Sequence, residues 1–74
     1  MNFRPETIKS VAATWFTVAP DAETDDPKIA AELVIDRLGF FGYVEPSAEV
    51  DGLISQHGYA KVHAEIARLL EGLV

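Results

Sequence analysis

Apolar residues recur at helical spacing in four segments of the chain, and prolines and glycines separate these segments. Repeats at i, i+3, i+4 and i+7 are typical of a helix with one apolar side. On this basis helices are predicted at about residues 5–19, 27–38, 47–57 and 59–73. Because 74 residues leave room for only one hydrophobic core, we expect residues 1–74 to form a single all-α domain, a compact bundle of four short helices.

The first helix is bounded by two prolines. Pro5 suits the first helical position, because its φ angle is already helical and its missing N–H would have no partner there. Pro20 is expected to end the helix by residue 19. The spacing predicts a buried face that includes two large aromatic side chains. This face consists of Ile8, Val11, Ala12, Trp15 and Phe16.

The second helix has recognisable signals at both ends. Asp26 followed by Pro27 is typical of an N-cap and a first helical residue. Gly39 is the expected left-handed residue at the other end. Apolar residues cover most of the circumference and leave a single polar stripe, so this helix is predicted to lie at the centre of the bundle.

The segment between the second and third helices is irregular. It contains two adjacent aromatic residues, Phe40 and Phe41, with a glycine on either side. Ser47 is expected to be the N-cap of the third helix. Because Gly58 alone separates the third and fourth helices, they are predicted to meet at a sharp corner.

The chain is acidic and contains no cysteine. Twelve acidic and six basic residues give a net charge of −6, which repels phosphate backbones and anionic membranes. Without cysteine, neither a disulfide nor a thiolate metal site can contribute to stability. The apolar stretch 11–19 is too short and too polar for a membrane span. We therefore expect a cytoplasmic protein that binds neither nucleic acid nor membranes directly.

The acidic loop after the first helix resembles part of a helix–loop–helix calcium site. Counted from Asp21, carboxylates fall at positions three, five and twelve. However, Asp26 replaces the required glycine at position six, and Pro27 is expected to start a helix inside the loop. The two histidines, His57 and His63, lack the i, i+4 spacing that places two imidazoles on one helical face. We expect them at the edge of the core, and we expect neither a metal site nor a cofactor.

No pattern in the chain indicates catalysis. It has no cysteine nucleophile, no Gly-x-Ser-x-Gly elbow and no glycine-rich phosphate loop. Ser55 and His57 are two residues apart and would point to different faces of a helix. A bundle of this size also has little volume for a pocket that excludes water. The sequence therefore predicts a non-enzymatic protein.

Aromatic and acidic residues are concentrated in and around the two connections that flank the second helix. Aromatic side chains beside flexible glycines are typical anchors of protein interfaces. The alternative is that the aromatic residues fill the core. Two aromatic residues and six carboxylates are the predicted partner-binding residues. They are Phe41, Tyr43, Asp21, Glu23, Asp25, Glu45, Glu49 and Asp51.

These features favour an acidic protein-binding module that occupies a surface or a basic groove of a partner protein. Inhibitors and antagonists, including phage-encoded ones, are often small proteins of this kind, which is an argument by analogy. The alternative is a small structural subunit or an obligate homo-oligomer, such as a homodimer, because 49% of the residues are hydrophobic. A metal-binding or small-ligand-binding module is a third hypothesis.

Overall fold

Four α-helices contain 74% of the residues in a computed structural model that describes the whole chain, residues 1–74. The helices are α1 (Pro5–Ala22), α2 (Pro27–Arg37), α3 (Val44–His57) and α4 (Tyr59–Leu70). The structure contains no strand. It confirms the prediction of a small all-α bundle of four helices.

The core is a single cluster of apolar side chains to which all four helices contribute. The most extensive helix–helix contact is between α2 and α4. Ala30 and Ala31 on α2 are completely buried, and small side chains at such positions allow two helices to approach closely. The cluster consists of Val11, Trp15, Val18, Ala30, Ala31, Val34, Leu38, Val50, Val62, Ile66, Ala67 and Leu70.

The second helix, predicted to be central, takes part in the two most extensive helix–helix contacts, those with α4 and α1. α1 and α4 each pack against all three other helices, whereas α2 packs mainly against α1 and α4. One side of α2 is deeply buried, but Ile29 remains 45% exposed on another side. The apolar residues around α2 are therefore more numerous than its two neighbours can cover.

The buried face of α1 is also different from the predicted one. Val11 and Trp15 are buried as expected, but Ile8 and Phe16 are 41% and 59% exposed. The helix is rotated by roughly a quarter turn relative to the prediction, at 100° per residue. The core side of α1 therefore includes three hydroxyl residues among its six buried positions. These six are Thr7, Ser10, Val11, Thr14, Trp15 and Val18.

Pro20 does not end α1 at residue 19, contrary to the prediction. The helix continues to Ala22 with Pro20 inside its last turn, and Glu23 follows in the left-handed conformation with φ 51°. A proline removes its own N–H from the hydrogen-bond ladder and crowds the carbonyl four residues earlier, but only two helical residues follow Pro20. Near the end of a helix this loss is small, so the last residues can remain helical.

The predicted start of α2 and the corner between α3 and α4 are correct. The Asp26 side chain accepts a hydrogen bond of 2.9 Å from the Lys28 N–H, and Pro27 is the first residue of α2. Gly58, with φ 90°, is the only residue between α3 and α4. The fourth helix is shorter than predicted, because the residues after Leu70 form turns. No helix is both long enough and apolar enough to span a membrane.

Replacing Thr14 by valine is expected to stabilise the fold. The Thr14 hydroxyl is completely buried and has no hydrogen-bond partner. A buried hydroxyl without a partner retains its cost of desolvation, and a methyl group of similar size avoids that cost. The gain should be about 1 kcal/mol in the free energy of unfolding, measured by urea denaturation.

Thr17→Val is the matched control for this substitution. The Thr17 hydroxyl is exposed and donates a hydrogen bond of 2.9 Å to the Ala13 carbonyl, so its removal should change stability by less than about 0.5 kcal/mol. A Thr14→Val protein less stable than the wild type would contradict the assignment of an unpaired hydroxyl.

Candidate protein-binding surface

The irregular segment after α2 is a closed helix-terminating motif, which we call the aromatic turn (residues 39–43). The Tyr43 N–H donates to the Leu38 carbonyl at 3.2 Å, and the Gly42 N–H donates to the Gly39 carbonyl at 3.1 Å. These two bonds, with Gly42 at φ 91°, are the Schellman pattern. Leu38 and Tyr43 both belong to the core or pack against it, as this motif usually requires. The turn is therefore an ordered structure with a fixed backbone.

The predicted left-handed residue was Gly39, and this prediction is wrong because Gly42 has that role. Gly39 is needed for a different reason. A Cβ atom at position 39 would lie 2.8 Å from the Ser47 Oγ atom on α3. The lack of a side chain at Gly39 thus allows the turn to lie directly against α3.

The start of the third helix was also predicted incorrectly. α3 begins at Val44, three residues earlier than expected, and Ser47 lies inside the helix rather than at its N-cap. Pro46 is in the first turn of α3, where a proline needs no N–H partner, and it is buried. This early start joins α3 directly to the aromatic turn at Tyr43.

Apolar side chains of the aromatic turn and of the start of α3 are exposed to solvent. Phe40 is 83% exposed, and Phe41 is 36% exposed with its ring edge-on to Phe40 at 6.2 Å. Val44, the first residue of α3, is 72% exposed. Tyr43 is partly buried and packs against the core. Of the two predicted aromatic residues, Phe41 thus lies at the surface and Tyr43 mainly supports the turn.

A shallow cleft of about 260 Å³ lies beside the aromatic turn, between α1 and α2. On α2 and the turn it is lined by Leu33, Arg37 and Phe41, which follow one another at i, i+4 spacing. Sites for drug-sized ligands are typically about 300–1,000 Å³ and enclosed. This cleft is smaller and open, so it suits a single protruding side chain. The α1 side of the cleft is formed by Thr17, Val18, Asp21 and Ala22.

The predicted acidic residues lie in several different places. Asp21 shares the cleft with Phe41. Glu45 is exposed at the start of α3, one residue after Val44. Glu23 and Asp25 are exposed in the loop between α1 and α2, and Asp51 is exposed farther along α3. Two of the predicted carboxylates therefore lie near the aromatic turn. Asp21 lines the same cleft as Phe41, and Glu45 is two residues after Tyr43 in the chain.

Glu49 differs from the other predicted carboxylates because it forms hydrogen bonds within the protein. Its Oε2 atom accepts a hydrogen bond of 3.1 Å from the Arg4 Nε atom, and the Arg4 backbone N–H also points to the carboxylate at 3.3 Å. A glutamate from α3 thus satisfies an N–H at the beginning of α1, where negative charge is favourable. The side chain of Glu49 is only 14% exposed. Its primary role is therefore to hold α1 and α3 together.

The environment of Glu49 favours the charged carboxylate. Burial raises the pKa of Glu49, but the nearby Thr7 hydroxyl, the Arg4 N–H and the Arg4 guanidinium lower it by more. The pKa in the folded protein is consequently below its ordinary value of 4.5.

A second cleft, of about 370 Å³, lies between the start of α2 and α4. His63 lines it, and its Nε2 atom donates a hydrogen bond of 2.8 Å to the Lys28 carbonyl. The His63 ring also stacks on Tyr59 at 5.6 Å. His63 is thus partly buried and bonded to another helix, as expected for the edge of the core. The same expectation for His57 is wrong, because His57 is exposed at the end of α3. No three His, Asp or Glu side chains in the chain converge as ligands for a metal ion.

The sequence prediction omitted the most exposed apolar side chains of this surface, Phe40 and Val44. One signal could have located them. Leu38 and Tyr43 are five residues apart with Gly42 just before the second, which is the hydrophobic pair of a Schellman motif. Placing the end of the helix at Gly42 would have put Phe40 on the last helical turn, facing away from the core.

Comparison with protein-family models, with curated proteins and with solved structures finds no match to this chain. The functional interpretation therefore depends on the surface itself.

Replacing Glu49 by glutamine should destabilise the protein at neutral pH by on the order of 1 kcal/mol, because it weakens a charge-assisted contact. The folded-state pKa of Glu49 is lowered, so its contribution is complete above about pH 4.5 and is lost as the pH falls through the folded-state value. The difference in the free energy of unfolding between wild type and Glu49→Gln should therefore shrink below pH 4.5. Urea denaturation at several pH values measures this difference. Asp51→Asn, at an exposed position in the middle of the same helix, should be nearly neutral.

Replacing Gly39 by alanine should destabilise the fold by about 1–3 kcal/mol, because the new methyl group would overlap Ser47. Ser47→Ala in the same chain should restore part of the loss, since it removes the nearer of the two overlapping atoms. Gly52→Ala is the control, because nothing lies within 4 Å of a Cβ at that position of α3. It should stabilise the helix by roughly 0.5–1 kcal/mol. Equal effects of the two alanine substitutions would contradict the packing role of Gly39.

Proposed function

We propose that this chain is a non-enzymatic protein-binding module that uses the aromatic turn as its contact surface. The observation that carries the proposal is the 83% exposure of Phe40 on a backbone fixed by hydrogen bonds. A large aromatic side chain in water gains much free energy on burial in a partner. Because the turn is already ordered, little conformational entropy is lost when it binds.

The surroundings of Phe40 support a partner that combines apolar and basic groups. Phe41 and Val44 extend the apolar surface, and Asp21 and Glu45 contribute negative charge near it. Arg37 lines the same cleft, but its positive charge is paired with Asp36 at 3.1 Å. The net charge of −6 would accelerate association with a basic groove. Aromatic anchors would then supply most of the binding free energy. This mode of binding is that of an inhibitor or antagonist that blocks a functional groove of its target.

The same charge argues against direct contact with nucleic acid. The partner of this surface is therefore a protein and not a nucleic acid. The alternative function, a subunit that assembles with itself, has support from the exposed apolar side chains Ile8 and Phe16 on α1.

The proposal predicts one stoichiometric partner whose capture requires Phe40. Tagged wild-type chain and Phe40→Ala would be used to capture proteins from a lysate of the source cell or its natural host, with and without nuclease. The partner should survive nuclease treatment and should be lost or strongly reduced with Phe40→Ala. For the purified complex, loss of an aromatic anchor worth about 2 kcal/mol would raise Kd roughly thirtyfold.

Ile29→Ala is the matched control, because Ile29 is an exposed apolar residue on α2 away from the turn. This variant should capture the partner as well as the wild type does. The proposal fails if no protein is retained, if nuclease abolishes the capture, or if both variants bind like the wild type.

A further inference from the structure

The cleft between α1 and α2 combines apolar walls with one unpaired carboxylate. Val18 and Leu33 line it from the two helices, and Phe41 lines it from the aromatic turn. Asp21, on the α1 side, is exposed, and none of the three ion pairs in the chain includes it. A carboxylate beside an apolar surface suits a ligand with an apolar stem and a positively charged end.

The C-terminal end of α1 adds negative potential on the same side of the cleft. The carbonyl end of a helix carries a partial negative charge, which cations stabilise and carboxylates oppose. The last turn of α1 nevertheless contains Asp21 and no basic residue. No backbone N–H beyond the helix donates a hydrogen bond to the carbonyls of residues 19–22. The position of Asp21 is thus electrostatically unfavourable in the chain alone, and a cation bound there would remove the conflict.

The end of α2, on the opposite side of the cleft, has no such unmatched charge. The Phe41 N–H donates to the Arg37 carbonyl at 2.9 Å, so the aromatic turn closes this helix end. The Arg37 guanidinium is bonded through Nε to Asp36 at 3.1 Å. It forms no ion pair with Asp21, although both residues line the cleft. The cation that the chain itself places in the cleft therefore leaves the Asp21 carboxylate free.

We propose that the cleft binds a lysine side chain of the partner protein, with the stem against Leu33 and Phe41 and the ammonium group at Asp21. This inference rests on the proposed function and extends it, because it assigns one side chain of the partner. The Phe41 ring lines the cleft and lies edge-on to Phe40 at 6.2 Å. A partner seated on Phe40 is therefore adjacent to the cleft.

The size and chemistry of the cleft favour lysine. An open cleft of about 260 Å³ admits one extended side chain and not a folded segment. A lysine places its four-carbon stem along apolar surface and keeps its ammonium group at the rim, in contact with water. The ammonium has three rotatable donors, which suit a carboxylate and nearby helix carbonyls better than the rigid fork of a guanidinium does. The Phe41 ring is a further favourable neighbour for a cation.

n-Pentylamine reproduces the stem and ammonium of a lysine side chain and tests the cleft directly. It would be titrated into the isotope-labelled chain at the millimolar concentrations that so small a ligand requires, with amide NMR signals as the readout. Signals of residues 17–22 and of Leu33, Arg37 and Phe41 should shift. n-Pentanol, which lacks the charge, should bind roughly two- to fivefold more weakly. Pentanoate, with the opposite charge, should bind more weakly still.

Asp21→Asn should reduce the affinity for n-pentylamine by roughly two- to fivefold and leave the affinity for n-pentanol unchanged, because it removes only the charge. Asp25→Asn is the matched control. Asp25 is an exposed carboxylate in the loop between α1 and α2, and it does not line the cleft. This variant should bind n-pentylamine like the wild type. The amide spectrum of each variant also checks that the fold persists.

Three results would each overturn the proposal. They are shifts spread over all acidic segments of the chain, pentanoate binding as tight as that of n-pentylamine, and equal affinity of Asp21→Asn and the wild type for n-pentylamine. A chain that fails these titrations but captures a partner through Phe40 keeps the proposed function and loses only the lysine contact. Absence of any Phe40-dependent partner would instead remove the proposed function and, with it, the assignment of the lysine to a partner.

Discussion

The rotation of α1 about its own axis determines which of its side chains enter the core and which are exposed to solvent. α1 packs against all three other helices, so its orientation affects every layer of the core. With Val11, Trp15 and Val18 turned inward, the hydroxyls of Thr7 and Thr14 are buried with them. Ile8 and Phe16 are consequently left outside. Buried polar atoms and exposed apolar side chains on this helix are two results of the same rotation.

Two contacts hold α1 in this orientation. Trp15, 3% exposed, is the largest side chain in the core and has little freedom to reorient in a packed interior. At the beginning of the helix, the Glu49 carboxylate binds both the backbone and the side chain of Arg4. One contact is apolar and near the middle of the helix, and the other is electrostatic and at its beginning. Together they oppose rotation more effectively than either would alone.

Local signals in the sequence were sufficient for the class of fold and for several helix ends. The Asp26–Pro27 start and the Gly58 corner depend only on neighbouring residues, and both were predicted correctly. The rotation of α1 could not be predicted in this way, because apolar residues lie on two sides of the helix and only the other helices select one. The packing role of Gly39 also required tertiary information, since Ser47, eight residues beyond it, occupies the space that a side chain at position 39 would need. Similarly, Glu49 resembled other surface carboxylates until α3 was placed beside Arg4.

The corner at Gly58 limits how this architecture can change. With φ 90° and ψ 149°, Gly58 has a backbone conformation that side chains with a Cβ atom almost never adopt. Because it is the only residue between α3 and α4, no neighbouring loop residue can absorb a distortion. The angle between these two helices is thus encoded by a single glycine, whereas the four-residue loop between α1 and α2 can tolerate changes in length and composition. Inserted or deleted residues should therefore be tolerated at the α1–α2 loop, whereas any change at Gly58 would alter the relative orientation of α3 and α4.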